Sequence, residues 1–123
     1  QLSSELLEEM DSDKETLLKK SLKQWVLDEG YTKGDISTAE VAKFLGTDLL
    51  FLRSYFRKNM PCDFCTWRNE LRIRKAQELI AANPAVSINQ IAQQVGFVTQ
   101  SNFYLYFKKI TGHSPADYRD QMK

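Results

Sequence analysis

The sequence predicts an all-α fold in which a pair of short helices occurs twice, once on each side of a long connecting helix. Three observations carry this. Apolar residues recur at helical spacing between recognisable caps along nearly the whole chain, with no alternating strand pattern between them. A first block is repeated at an offset of 50 residues: Val41-Ala42 answers to Ile91-Ala92 and Gly46 to Gly96. Beyond one inserted residue the offset is 51, matching Phe56-Arg57-Lys58 to Phe107-Lys108-Lys109 and Trp67-Arg68 to Tyr118-Arg119. Between the blocks, residues 63–83 run on with neither Gly nor Pro.

From Asp13 to Glu29, Leu17, Leu18, Leu22, Trp25 and Val26 form the stripe of an amphipathic helix that stops at Gly30. Ser37-Thr38-Ala39-Glu40 is a capping box, opening a helix with Val41, Ala42 and Leu45 inward and Gly46 as its stop. Asp48 caps the next helix, which runs to about Asn59 with Leu49, Leu52 and Phe56 on one side. Asp63 starts the connector, with Phe64, Trp67, Leu71, Leu79 and Ile80 at helical spacing, and Asn83-Pro84 ends it. The pattern then begins again. Ser87-Ile88-Asn89-Gln90 is a second capping box, Gly96 ends that helix, and Thr99 caps one reaching Thr111-Gly112. Ser114-Pro115-Ala116-Asp117 supplies an N-cap, a Pro at N1 and an acid in the first turn of a last helix. The expected organisation is an acidic lead segment over residues 1–14, a first subdomain over 15–62, the connecting helix over 63–83 and a second subdomain over 84–123.

With 123 residues the chain is the size of one domain or two very small ones, and 42% hydrophobic against 27% charged residues excludes disordered and collagen-like classes. There is no apolar run of about eighteen residues, so no membrane contact is expected of this chain. The acidic start shows no export signal, and the expected location is cytoplasmic. The first residue is Gln rather than Met, as in a processed chain or a piece of a longer protein. The net charge of +1 hides an asymmetry: residues 1–50 hold six basic and eleven acidic residues, residues 51–123 eleven basic and five acidic. The basic surplus is C-terminal, which points to a polyanionic partner as well as to a solvated helical surface.

Each repeated block has the mechanics of a helix-turn-helix. A small Ala42 or Ala92 lets the second helix cross close above the first, and Gly46 or Gly96 takes the left-handed backbone that turns the chain sharply. The second helix of each pair is then free to enter a major groove. The second copy reads S87-I-x-x-I-A-x-x-V-G-F97, then F103-x-x-x-F107-K-K-x-T-G112-H-S-P-x-x-Y118-R119, with Arg72 and Ala76 forming R-x-x-x-A in the connector. Over roughly residues 15–120 these motifs resemble the DNA-binding domain of AraC/XylS-type bacterial transcriptional regulators.

The resemblance implies two helix-turn-helix subdomains joined by a long connecting helix. Each places one recognition helix in successive major-groove segments of double-stranded DNA. It also implies a sensor or ligand-binding region that this chain lacks and, for an activator, RNA polymerase as a partner. It turns Leu50, Arg53 and Ser54 of the first recognition helix toward the bases, and Gln100, Ser101, Asn102 and Leu105 of the second. The family's base-reading Arg, two positions before the Phe that ends each recognition helix, is replaced by Ser54 and Leu105, with Arg53 standing next to the first. Arg can pair with guanine and Asn with adenine, so Arg53 and Asn102 are the informative members.

Arg57, Lys58, Lys108 and Lys109 recur at matching places and are the expected phosphate contacts. Phe56, Phe103, Phe107, Trp67, Leu71 and Tyr118 lie on apolar stripes and are expected in cores. Arg68, Arg72 and Lys75 share one face of the connector and are expected at a solvated surface, with Arg74 and Glu78 as an i,i+4 pair. Cys62 and Cys65 form C-x-x-C, but His113 is the only His and no second Cys pair exists, so a zinc site is not expected; the thiols are expected to be reduced and structural, with redox sensing as the lesser alternative. His113 is expected in a turn. No paired acid and base, phosphate-cradling loop or metal-ligand set points to an enzyme, a cofactor or a metal. The alternative to a DNA-binding regulator is an all-helical protein-protein interaction module, which would not need basic residues repeated at both recognition-helix ends.

Overall fold

The computed structural model describes residues 3–123. Among them it is entirely helical: α1 (Ser4–Leu27), a short 3-10 turn (Gly30–Thr32), α2 (Thr38–Phe44), α3 (Leu49–Asn59), α4 (Phe64–Ala82), α5 (Ile88–Gln94), α6 (Gln100–Thr111) and α7 (Pro115–Gln121). The local signals fix most of these ends. The side chains of Ser37, Asp48, Ser87, Thr99 and Ser114 each accept a hydrogen bond from the backbone N–H three residues on. At Ser87 the box is reciprocal, since Gln90 accepts from the Ser87 backbone. At Ser37 the Glu40 carboxylate instead accepts from the Ser37 hydroxyl at 3.3 Å.

α1 departs from expectation at both ends. It starts at Ser4 rather than Asp13, because Ser3 is an available cap, its Oγ accepting from the Leu6 N–H at 3.2 Å, and no Gly or Pro intervenes. Gln1 and Leu2 of the expected lead segment lie outside the described residues. The helix stops at Leu27, and the left-handed residue that turns the chain is Glu29, at φ 56°, not Gly30. Gly30 serves close approach instead, since a Cβ there would run into the Trp25 indole.

The chain divides into two compact units. The first takes the residues through Gly30 together with Ser37–Asp63. Its buried side chains are Leu18, Leu22 and Trp25 from α1, Val41, Ala42 and Leu45 around α2, and Leu52, Tyr55 and Phe56 from α3. Leu17, expected inward, is 65% exposed, because Leu18, Leu22 and Trp25 already set the core-facing stripe.

The second unit takes Tyr31–Ile36 and Phe64–Lys123. Here α4 packs against α5 and α6, and α7 packs against α6. Ile73, Ala76, Ile80, Ile91, Val95, Phe97, Phe103 and Phe107 fill the core. An aromatic chain runs through it: Phe97 to Phe103 at 5.4 Å, Phe103 to Phe107 at 5.6 Å, and Phe107 edge-on to Tyr118 at 5.5 Å. Trp67, Leu71 and Tyr118, expected in cores, are half-buried.

The connector's basic stripe is not a solvated surface. Arg72 is buried, and its guanidinium donates to the carbonyls of Tyr31 and Lys33, the second at 3.1 Å, while lying 5.7 Å from the Phe97 ring centroid. Burial first, and the nearby Arg68 charge second, push its pKa down to about 10, so it remains charged at neutral pH. Arg68 donates to Ile36 O at 3.0 Å and sits over the Phe64 ring. Its repeat counterpart Arg119 donates to Val86 O at 2.6 Å. Ile36 and Val86 each immediately precede the N-cap serine of a helix-turn-helix, so the two arginines latch equivalent loops. Glu78 pairs with Lys75 at 3.6 Å rather than with Arg74, as expected from sequence.

Two predictions follow from these contacts. Gly46 and Gly96 both have left-handed backbone, at φ 80° and 105°, but a Cβ at Gly46 meets open space whereas one at Gly96 would come within 2.8 Å of Thr32 O and 2.9 Å of Arg72 Nε. Gly46→Ala should therefore cost about 1 kcal/mol and Gly96→Ala about 3 kcal/mol or more. Chemical unfolding of the two variants checks the order, and equal costs would contradict it. Arg72→Met leaves two carbonyls without their donor and should cost about 2–4 kcal/mol, with Arg72→Lys recovering only part because an ammonium lacks the fork. Amide exchange over residues 31–36 should speed up in Arg72→Met; unaltered exchange there would show that the segment is held by other contacts.

Candidate nucleic-acid interface

The two helix-turn-helix pairs correspond bond for bond through their turns. Gly46 N–H donates to Lys43 O and Thr47 N–H to Ala42 O, at 3.1 and 2.9 Å. Gly96 N–H donates to Gln93 O and Phe97 N–H to Ala92 O, at 3.1 and 3.0 Å. Both pairs thus close the first helix with the same two reversed bonds, which a left-handed Gly permits. The chain then reaches its cap, Asp48, in one pair, and needs one more residue to reach Thr99 in the other. That is the insertion that changes the repeat offset.

In α3, Leu52, Tyr55 and Phe56 face the core. Helical spacing puts Leu50, Ser54 and Arg57 on the opposite side, with Arg53 at one edge of that face and Lys58 at the other. All five are exposed, Leu50 by 78%. Arg57 and Lys58 occupy the last turn, where positive charge is also favoured by the helix dipole. Lys58 is engaged: its Nζ lies 3.1 Å from Glu15 Oε1 of α1.

In α6, Phe103 and Phe107 are fully buried, and Ser101, Leu105 and Lys108 form the opposite face. Asn102 and Lys109 lie at one edge and Tyr104 and Gln100 toward the other. Every one of these residues outside the core is exposed. Gln100 donates from Nε2 to the Tyr104 hydroxyl at 3.1 Å, and the Asn102 backbone N–H is bound by the Thr99 cap, leaving its side chain at the surface.

At the offset of 51, Leu50 matches Ser101, Ser54 matches Leu105, Arg57 matches Lys108 and Lys58 matches Lys109. Arg53 matches Tyr104, an exposed residue that the sequence analysis does not single out. The signal was the offset itself, because extending the Phe56–Phe107 match three residues back lands on this pair. Gln100, by contrast, matches the half-buried Leu49 and stands off the centre of its face.

The remaining chemistry-bearing residues do not assemble. Cys62 is half-buried and Cys65 exposed, and neither is in a disulfide. His113 is exposed in the turn between α6 and α7, its backbone tied to the Thr111 hydroxyl. Among the described residues no group of three or more His, Cys, Asp or Glu side chains could hold a metal ion, and no helix is long and apolar enough to cross a membrane.

Comparison with known proteins agrees with this geometry. A family model described as a helix-turn-helix domain matches residues 41–121. The arabinose operon regulatory protein of Escherichia coli strain K12 is 32% identical over 81 residues, covering 66% of this chain and 27% of that protein. The chain spans 12% to 30% of the length of the curated relatives it matches. Among solved structures, the C-terminal domain of AraT, a response regulator from Geobacillus stearothermophilus, superposes with a TM-score of 0.75 at 28% identity, over 85% of this chain and 84% of that one. The C-terminal domain of a two-component response regulator from Fusobacterium nucleatum gives 0.72 at 29% identity, over 82% of this chain and 97% of that one. With its duplicated turns, its R-x-x-x-A connector and these matches, the chain belongs to the AraC-type helix-turn-helix family of DNA-binding domains found in transcriptional regulators.

Proposed function

We propose that α3 and α6 are the two reading helices of a sequence-specific regulator of transcription, entering successive major-groove segments of double-stranded DNA. The observation that carries this is the matched basic pair, Arg57-Lys58 and Lys108-Lys109, exposed in the last turn of both helices beside the face turned away from the core. A protein-interaction module would have no need of that symmetry. Arg57, Lys108 and Lys109 bind phosphates, and Lys58 joins them by giving up Glu15. Leu50, Arg53 and Ser54 face the bases in the first half-site; Ser101, Asn102 and Leu105 do so in the second, with Gln100 and Tyr104 at the margin. RNA polymerase, where the protein activates, and a sensor region outside this chain are the further partners. We place the protein in the cytoplasm, with the bacterial DNA it reads, and assign it no enzymatic activity.

The phosphate assignment is checked by salt dependence. Replacing Arg57, Lys108 or Lys109 with Ala should weaken binding to all sequences alike and lower the slope of log affinity against log salt by roughly one unit each. Lys58→Ala should lower it by less, because breaking the pair with Glu15 offsets part of the phosphate contact. Slopes unchanged in all four variants would sink the assignment.

Specificity divides unevenly between the helices. Arg53→Ala should cost about 1–3 kcal/mol on the preferred site and far less on random DNA, since a guanidinium can pair bidentately with guanine. Leu105 offers only apolar contact, for example to a thymine methyl, so the second half-site is read through Asn102, Tyr104 and groove shape and tolerates more substitutions. Affinities for every single-base variant of a selected site, measured with the parent, Arg53→Ala and Asn102→Ala proteins, decide it. A second half-site more stringent than the first would overturn this division.

A further inference from the structure

Lys58 and Lys109 occupy matching positions in the last turns of α3 and α6, and both are exposed. Their surroundings differ. Lys58 Nζ lies 3.1 Å from Glu15 Oε1 of α1, 43 residues away in sequence, whereas Lys109 has no ion pair among the described residues.

The two members of the pair are held unequally. The Glu15 side chain is 24% exposed and the Lys58 side chain 68%. Glu15 lines a cleft of about 400 Å³ in the first unit, shared with Thr16, Lys19, Tyr55 and Asn59. Tyr55 is buried, and its hydroxyl is pushed above the ordinary phenol pKa by burial first and by the Glu15 charge second. The carboxylate is thus the anchored member, and the ammonium is the one free to leave.

Such a contact is readily exchanged. An ion pair with one member this exposed is weak and screened by salt, and a phosphate oxygen offers Lys58 the same kind of charged acceptor as a carboxylate does. Once Lys58 leaves, Glu15 has a second cation at hand. Lys19 stands four residues on along α1, the spacing and order that favour an acid–base pair on a helix, and lines the same cleft. A phosphate arriving at Lys58 meets a negative charge already fixed there.

We propose that Glu15 is a competitor for DNA phosphate built into the first unit: it occupies Lys58 in the free protein, yields it to the DNA backbone when α3 binds, and lowers the affinity for every sequence alike. This rests on the phosphate assignment of Lys58 made above. The exchange runs from Lys58–Glu15 to Lys58–phosphate with Glu15–Lys19, and Lys109 in the second unit binds its phosphate without it.

Affinities of the whole chain for a mixed-sequence DNA duplex, read by fluorescence anisotropy over a range of salt concentrations, test this. Glu15→Gln should bind about three- to tenfold more tightly and steepen the slope of log affinity against log salt, because Lys58 then neutralises a phosphate without leaving an acid behind. In a Lys58→Ala background the same substitution should change affinity by less than about twofold, the coupling that a double-mutant cycle isolates. Glu8→Gln, the same charge change at an exposed position nearly two turns away on α1, should also stay within about twofold. Lys19→Met should weaken binding in the parent but not beside Glu15→Gln, since a lysine that touched phosphate itself would matter in both. Glu15→Gln should melt slightly below the parent while binding more tightly; a purely structural Glu15 would lose stability and affinity together. Binding by Glu15→Gln no tighter than the parent's, or tightened equally with and without Lys58, overturns the proposal while Lys109→Ala still lowers the salt slope. A slope untouched by Lys109→Ala as well would overturn the phosphate assignment with it.

Discussion

A buried guanidinium is expensive unless its hydrogen-bonding capacity is used, and Arg72 organises the second unit because of that requirement. Its fork satisfies Tyr31 O and Lys33 O, its flat face rests on Phe97, and Gly96 has no side chain so that Thr32 and the Arg72 Nε can lie where a Cβ would otherwise be. Helix α4, the loop before α2 and the turn of the second helix-turn-helix are thereby fixed around one charge. Gly34 meets Gly96 in the same place, since a Cβ on Gly34 would come within 2.9 Å of the Gly96 carbonyl oxygen. The position of α6 depends on this turn, because Phe97 bridges the Arg72 contact to Phe103 on the reading helix.

The duplication reaches further than the helix pairs. Arg68 and Arg119 hold the loops that deliver the chain to Ser37 and Ser87, so each repeat comprises a helix pair, its entry loop and a latch from a following helix. What differs is what each copy has added: a long α1 before the first, and a tight aromatic core in the second. The exposed faces of α3 and α6 differ most between the copies, with Arg53 against Tyr104 and Ser54 against Leu105 inside an otherwise matched frame. Packing and turn geometry constrain the frame, whereas exposed positions are free to change with the sequence being read.

Most of the fold was legible because its signals are local. A serine or aspartate three residues ahead of an N–H that needs an acceptor, or a glycine where the backbone must turn left-handed, acts within one turn of helix. Those positions were read correctly at Ser37, Asp48, Ser87, Thr99 and Ser114. The burial of Arg72 was not legible, since an arginine on a basic stripe looks solvated until a loop some forty residues away covers it. Leu17 was misplaced for a related reason: two adjacent leucines give helical periodicity two choices of stripe, and only the burial of the folded first unit selects Leu18. Tyr104 carries no cap, turn or stripe signal of its own, and only the repeat offset, which pairs it with Arg53, marks it. For the residues proposed to meet DNA, the exposed side of each helix followed from helical spacing, whereas the pairing of Lys58 with Glu15, 43 residues apart, had no local signal.

The route of the chain also limits how this protein can be divided or recombined. Residues 31–36 belong to the second unit yet are encoded between the two parts of the first. A fragment ending at Asp63 would carry that segment without Arg68 or Arg72 to bind it, and a fragment starting at Phe64 would leave both arginines without the carbonyls to which they donate. Exchange of a first repeat between related genes therefore replaces part of the recipient's second unit with the donor's residues 31–36, and succeeds only when the donor brings compatible carbonyls and a glycine at the position of Gly34. Recombination of halves is held back by that shared stitch, while substitutions on the exposed faces of α3 and α6 are not.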